Sequence, residues 1–221
     1  MTRRTLPVAA ALAATAALLL TACGGGDDSS KDNDKITGAG TGGSDSPSPS
    51  TSVSASADKN APTFAFPSDI KVTVDRQSTG DATKDAILRD VAYSTQANIE
   101  AFAKGVGQTT NMNRYFAAAA LTYWANRVET VKKDGLTVTG DYRYYNFEVT
   151  DVANGKSAAA RYCEDQSRAY GKEIKSGKVL RTKTSSKSFV LYTLQAQKDA
   201  AGDWQVTQQN WKKGDASCVR G

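Results

Sequence analysis

Tyr142-Arg143-Tyr144-Tyr145-Asn146-Phe147-Glu148-Val149-Thr150-Asp151-Val152, the dipeptide Asn154-Gly155, and Ser157-Ala158-Ala159-Ala160-Arg161-Tyr162-Cys163-Glu164-Asp165 form the stretch on which the fold turns. Apolar and polar residues alternate on both sides of the dipeptide, the period of a strand with one buried face. Asn-Gly is a strong hairpin signal, because both central residues of the matching turn need positive φ. The spacing predicts two paired strands, 142–152 and 157–165. Alternation sets Tyr145, Phe147 and Val149 on one side of the first, and Tyr144, Asn146 and Glu148 on the other. Ala158, Ala160 and Tyr162 share a face of the second.

Working outward, Leu136–Thr139 reads as a short strand before this hairpin, and 188–197 with 204–211 as a second hairpin around Asp199-Ala200-Ala201-Gly202-Asp203. Between the hairpins, Arg168–Ser186 reads as a polar loop. Upstream the period lengthens. Leu88, Val91, Ala92, Thr95, Ile99 and Phe102 recur at three and four, predicting a helix from Gly80-Asp81 to Lys104, ended by Gly105 and Gly107. A second helix is predicted from Met112 to Lys132, with Lys132-Lys133 complementing its dipole and Gly135 stopping it. Ile70–Val74 alternates as a first short strand. The order is a strand, two helices, then an antiparallel meander. That is an α+β fold with N-terminal helices packed on one face of a curved antiparallel sheet. A helix pair on an unbent antiparallel sheet is the alternative.

The first sixty residues have a different character. Arg3-Arg4 precede an apolar run, Leu6–Leu20, too short to span the ~30 Å hydrocarbon core of a bilayer. A basic head and a short apolar run are the pattern of a signal peptide. The run ends in Leu20-Thr21-Ala22-Cys23, which resembles the lipobox of bacterial lipoproteins. That resemblance implies cleavage before Cys23, a diacylglycerol on its thiol and a fatty acyl (palmitate-type) chain on its new amine. Two such chains anchor stably where one binds only marginally. Arg3-Arg4 fit an ordinary signal head and also twin-arginine export. Residues 23–61, rich in Gly, Ser, Pro and Thr, hold almost nothing apolar to bury and are expected to form a disordered tether. Residues 62–221 then make one domain.

The chain has three cysteines and no histidine. With Cys23 assigned to lipid, Cys163 and Cys218 remain as an even pair. In an exported domain such a pair reads as a disulfide, and closing that loop contributes about 4 kcal/mol in the chain-entropy account. Without histidine, Ser-His-Asp and Cys-His systems are excluded, and two isolated cysteines make a poor zinc site. No metal or cofactor is expected.

The element order resembles the NTF2-like, or cystatin-like, cone: a bent sheet wrapped on helices, often with a pocket. Gly155-Lys156-Ser157-Ala158, Cys163-Glu164-Asp165-Gln166-Ser167, Gly202-Asp203-Trp204-Gln205-Val206 and Cys218 are similar to a group of secreted actinobacterial lipoproteins with such domains. That resemblance implies an accessory domain of the cell envelope with no established reaction.

Three sets of side chains are candidates for chemistry. Arg168, Lys172, Lys175, Lys178, Arg181, Lys183 and Lys187 face one acid, Glu173, and read as an anion-binding loop for lipid head groups or wall polymers, or as a merely solvating one. Only Tyr170 is interleaved, so nucleic acid is not expected. Aromatic residues, Tyr115, Phe116, Tyr123, Trp124, Tyr142, Tyr144, Tyr145, Phe147, Tyr192, Trp204 and Trp211, pack a core or line a cavity mouth. Trp204 reads as a core anchor. Asp141, Glu148, Asp151, Glu164 and Asp165 are the carboxylates on or beside the strands. In NTF2-like isomerases and cyclases a buried carboxylate abstracts a proton beside a tyrosine. Asp165 near Tyr162 and Glu148 near Tyr144 suit that role by proximity, but strand parity turns both toward solvent. The expected function is a membrane-anchored extracytoplasmic binding or accessory module, partnered by membrane, anionic polymer or another envelope protein, and not an enzyme. The alternatives are a carboxylate-based small-molecule enzyme, marked by a carboxylate deep in a pocket, and a structural envelope protein held by its basic loop.

Overall fold

A computed structural model describes residues 60–219. The signal peptide, Cys23 and nearly all of the expected tether lie outside the described residues. The fold is α+β, with helices packed on an open, mostly antiparallel sheet. Strand β1 (Ile70–Val74) is followed by helices α1 (Ala82–Lys104), α2 (Thr110–Tyr115) and α3 (Ala118–Lys133). Strands β2 (Leu136–Ala153), β3 (Ser157–Glu173), β4 (Val179–Leu180), β5 (Phe189–Lys198) and β6 (Trp204–Lys213) come next, and a short helix α4 (Ala216–Val219) ends the described chain. The strand order is β1-β2-β3-β5-β6, with β4 on the far end of β3. Among the described strands, only β1 runs parallel to its neighbour.

Helix α1 starts where Asp81 Oδ1 accepts from the backbone N–H groups of Thr83 and Lys84, at 2.8 and 3.0 Å. Its apolar stripe of Ile87, Leu88, Val91 and Ile99 packs on Tyr162, Tyr192, Leu194, Trp204 and Val206 of the sheet in one core. Asp90, Ser94 and Glu100 of the same helix are buried too. The expected face is therefore present, but the helix is wrapped more completely than its periodicity predicts. Gly107 lets the next turn close on α3, since a Cβ there would lie 2.6 Å from the Ala125 carbonyl oxygen.

Three boundaries differ from expectation, and so does one assignment of faces. The second helix is two. Phe116 leaves the helix, bridges Val206 of β6, and Ala117 N–H donates to Val206 O at 2.9 Å. No Pro or Gly marks that break; a tertiary contact outweighs good local helix propensity. The strands predicted at 136–139 and 142–152 are one, β2, continuous through Gly140. That glycine has φ 98°, and a Cβ would meet Arg168 O at 2.1 Å. The return strand runs on to Glu173, so the expected polar loop is strand as far as that residue.

The fourth correction concerns faces. Three register shifts separate β2 from β3, at Asp141/Arg143, Tyr145/Glu148 and Val149/Asp151. The first places its extra residue in β3 and the other two place theirs in β2; each bends the strand that carries it and inverts that strand's in–out alternation. Asn146, with φ 53°, sits in the second. Tyr142 and Tyr144 consequently enter the main core together with Phe147, Val149 and Val152. Tyr145 does not share their face, against the simple alternation. It packs on the opposite side of the sheet with Cys163 and Cys218.

Cys163 and Cys218 are joined, their Cα atoms 5.5 Å apart across 55 residues. Tyr145 Oη donates to the Cys218 carbonyl beside the bridge. The bond thus fastens α4 over the outer face of β3. Replacing Cys218 by Ser should lower the free energy of unfolding by about 2–4 kcal/mol in urea melts. A variant as stable as the oxidised protein would show that the bridge constrains nothing.

Candidate functional site

Strand β3 carries Ala158, Ala160, Tyr162, Glu164 and Gln166 along its inner edge, before the bulge near Gln166 turns Ala169 and Gly171 inward instead. Glu164 is directly opposite Tyr144 on β2, and Tyr162 is opposite Tyr192 on β5. Cross-strand neighbours on one face touch. The register alone thus assembles three tyrosines around one carboxyl.

Glu164 is only 3 % exposed, yet it borders a cavity of about 310 Å³. Tyr144 Oη donates to Glu164 Oε1 at 2.9 Å, and Gln166 Nε2 donates to Oε2 at 2.7 Å. Tyr192 hydrogen-bonds the same carboxyl. A second chain of contacts runs alongside. Trp124 Nε1 donates to Gln209 Oε1 at 2.7 Å, and Gln209 Nε2 donates to Tyr162 Oη at 2.8 Å. Facing this sheet wall, α1 contributes Thr95, Asn98, Ile99 and Phe102. Leu180 and Thr182, from β4 and the residues after it, complete the rim with Tyr170.

Burial raises Glu164 above the ordinary glutamate value, outweighing the donors Tyr144, Tyr192 and Gln166 and the charge of Lys213. Burial, with the neighbouring carboxyl, also pushes Tyr144 and Tyr192 well above the ordinary phenol range, so both stay protonated and donate. Among the described residues, Glu164 is the sole Asp, Glu, Lys or Arg side chain in the lining. Such a site can hold a proton out of water and offer hydrogen bonds to a polar group, while Ile99, Phe102, Phe116, Trp124 and Val138 offer apolar contact. Among the described residues no three metal-binding side chains converge.

The other sequence candidates fall elsewhere. Glu148 pairs with Arg161 on the exposed side at 2.6 Å, and Asp165 accepts from Ser167 N–H at 2.7 Å. Asp141 pairs with Arg168 at 3.3 Å, and Asp151 is exposed. Of the aromatic set, Phe116, Trp124, Tyr142, Tyr144 and Tyr192 line the cavity. Tyr115 and Trp204 are buried in the core, Phe147 stacks on Tyr162, and Tyr123 and Trp211 are exposed. The basic residues do not form one loop. Arg168 and Lys172 are in β3, and Lys172 pairs with Asp69. Lys175 and Lys178 border the β3–β4 turn, and Arg181 lies 5.1 Å over the Tyr170 ring. Lys183 and Lys187 follow on the exposed stretch before β5. Cys23 lies outside the described residues. Sequence reasoning names Glu164 only as one of the strand carboxylates; the signal that finds it is parity with Tyr162, two residues before it on the same strand face.

No protein-family model matches the sequence, and no curated protein matches it significantly. Among solved structures, the chain is similar to the intermembrane space region of the chloroplast protein ARC6, at 14 % identity and a TM-score of 0.34, covering 63 % of this chain and 99 % of that one. It is also similar to a ketosteroid isomerase-like protein from Erwinia carotovora atroseptica SCRI1043, at 17 % identity and a TM-score of 0.39, covering 61 % of this chain and 98 % of that one. Neither likeness lends this chain a substrate or an activity.

Because Glu164 holds its proton more tightly in the folded chain, its contribution to stability is full below the ordinary value of 4.5 and is lost as pH rises through the folded value. Glu164→Gln removes that loss. The stability of Glu164→Gln relative to wild type should therefore climb as pH increases above 4.5. Acids held below their ordinary values, such as Asp69 and Asp85, are common to both proteins and cancel in the difference. A pH-independent difference in thermal midpoint would mean that Glu164 titrates normally.

Proposed function

We propose that this chain is an extracytoplasmic lipoprotein, anchored through Cys23, whose NTF2-like domain binds a small molecule in the cavity beside Glu164 and serves the cell envelope as a binding module. The observation that carries the reading is a carboxyl 3 % exposed at the wall of an open cavity. A buried acid with uncharged partners is costly to keep in a core that does not use it. The lipobox-like Leu20-Thr21-Ala22-Cys23 supports the anchoring. The exposed basic residues from Lys175 to Lys187 suit a position near an anionic surface, as accessory contacts and not as the ligand site.

The raised proton affinity of Glu164 beside two phenols favours one further reading, a proton-transfer enzyme. There Glu164 takes a proton from a carbon acid and Tyr144 or Tyr192 donates toward the developing oxyanion.

Cys23→Ala should abolish incorporation of labelled palmitate and release from signal cleavage; continued labelling would refute the anchor. Native mass spectrometry of the protein incubated with envelope extract should show a defined small-molecule mass that Ala169→Phe, which fills the cavity, eliminates. An adduct that survives Ala169→Phe would place the ligand outside this cavity. Turnover of β,γ-unsaturated ketones, followed by enone absorbance and lost in Glu164→Gln, would select the enzyme over the carrier.

A further inference from the structure

Strand β6 ends the sheet and pairs only with β5 among the described strands. Its far edge is bridged once, at Val206 by Phe116. Past that point no backbone group of residues 208–213 bonds anything beyond the β5 ladder among the described residues. Five of these six residues are exposed, and Gln209 is half-buried. Such an edge is a template for another strand, and proteins blunt it with charge, bulges or short length. This one has a bulge at Thr207 and two lysines, Lys212 and Lys213, yet it keeps an exposed tryptophan. Trp211 is 42 % exposed and Tyr123 of α3 is 43 % exposed, their ring centroids 5.1 Å apart. Trp124 backs both rings at 5.8 and 5.0 Å, and Gln209 Oε1 holds its indole N–H at 2.7 Å. The exposed pair is thus fixed in place on a built support.

The charges around this pair have one sign. Arg127 follows Tyr123 by one turn of α3, and Lys213 follows Trp211 on the same face of β6. Both are exposed, and neither is in an ion pair among the described residues. Lys212, on the other face, is 75 % exposed although it pairs with Asp215 at 3.0 Å. The acid of α3, Glu129, accepts from Gly107 N–H at 3.1 Å. We propose that the free edge of β6 docks an extended acidic segment of a partner protein. The segment adds a strand to the sheet, sets an apolar side chain on Tyr123 and Trp211, and brings carboxylates to Arg127, Lys213 and Lys212. Main-chain bonds then give affinity and the flanking side chains give specificity. Trp, Tyr and Arg are also the side chains that dominate interface energies. A second copy of this chain fits less well, because β6 holds no acid to meet these cations. The surface is separate from the ligand reading of the cavity and does not depend on it.

Three short blocked peptides test this by titration calorimetry on the full chain. In the first, valine and phenylalanine alternate with glutamate. The second has lysine in place of glutamate. The third is the glutamate peptide with its backbone N–H groups methylated, which removes strand pairing and keeps the side chains. The glutamate peptide should bind about tenfold or more tightly than either control. Amide hydrogen exchange at residues 208–213 should slow when it binds. Trp211→Ala should weaken it by about tenfold. The double variant Arg127→Glu, Lys213→Glu should reverse the preference toward the lysine peptide. Its thermal midpoint should match wild type, because both side chains are exposed and unpaired, so lost binding there is not lost folding. No binding of the glutamate peptide at about 1 mM, a weak limit for specific recognition, overturns the docking edge. Equal binding of the lysine peptide overturns the acidic partner, and equal binding of the methylated peptide overturns strand addition. Exchange protection confined to the cavity wall around Glu164 overturns the site. Sedimentation showing self-association that Trp211→Ala abolishes would give the edge to a second copy, against the proposal.

Discussion

Asn146 puts one more residue into β2 than β3 can match. Everything of interest in this domain depends on where that residue sits. Before it, even-numbered side chains point inward, so Tyr142 and Tyr144 reach the core and Tyr144 meets Glu164. Just before the shift, Tyr145 points outward and lies on the disulfide. After it, Phe147 and Val149 point inward and Phe147 stacks on Tyr162 at 5.3 Å. A strand without the extra residue would send either the tyrosines or the phenylalanine to the wrong side. The bulge lets one strand feed a polar cluster, a stacked aromatic pair and an outer staple within six residues.

The domain buries three carboxyls in comparable degree, and they differ in company. Asp90 accepts from Trp204 N–H at 2.9 Å and from Arg89. Glu100 accepts from Lys104, Ala65 N–H and Asn111, which together outweigh the burial that pushes it up and hold it below its ordinary value. Both join separate segments: Asp90 ties α1 to β6, and Glu100 ties the strap at residues 63–65 to α1 and α2. Burial raises Asp90 as well, even with Arg89 beside it. Glu164 has phenols and an amide around it and no cation in hydrogen-bond contact. It is also the one that borders the cavity.

Much of this was legible in the sequence. The turn at Asn154-Gly155, with both φ values positive, the cysteine pair, the first helix and the order of strands follow from local chemistry. The inward position of Glu164 follows from counting two residues on from Tyr162. Its significance was obscured by attention to Asp165 and Glu148, carboxylates near tyrosines in sequence but on the outer side. The bulges were not legible, since Asn146 is unremarkable in an alternating run and its φ is set by pairing to β3. The break at Phe116 was hidden for a similar reason: β6, ninety residues on, draws the backbone out of a helix that local propensity would continue. The extension of β3 past Asp165 was masked by charges that the structure places on its exposed edge, where Arg168 and Lys172 find Asp141 and Asp69.

The covalent staple and the cavity occupy opposite faces of the same strand, β3. Cys163 faces outward to Cys218, and its neighbours Tyr162 and Glu164 face inward. This separation bears on how such a domain evolves. The cross-link raises a stability margin that does not depend on what fills the interior, and a protein above its threshold tolerates substitutions that would otherwise unfold it. Cavity residues can then diversify, carrying a different acid in another lineage, without the scaffold being lost. Selection on the lining is thereby uncoupled from selection on the frame.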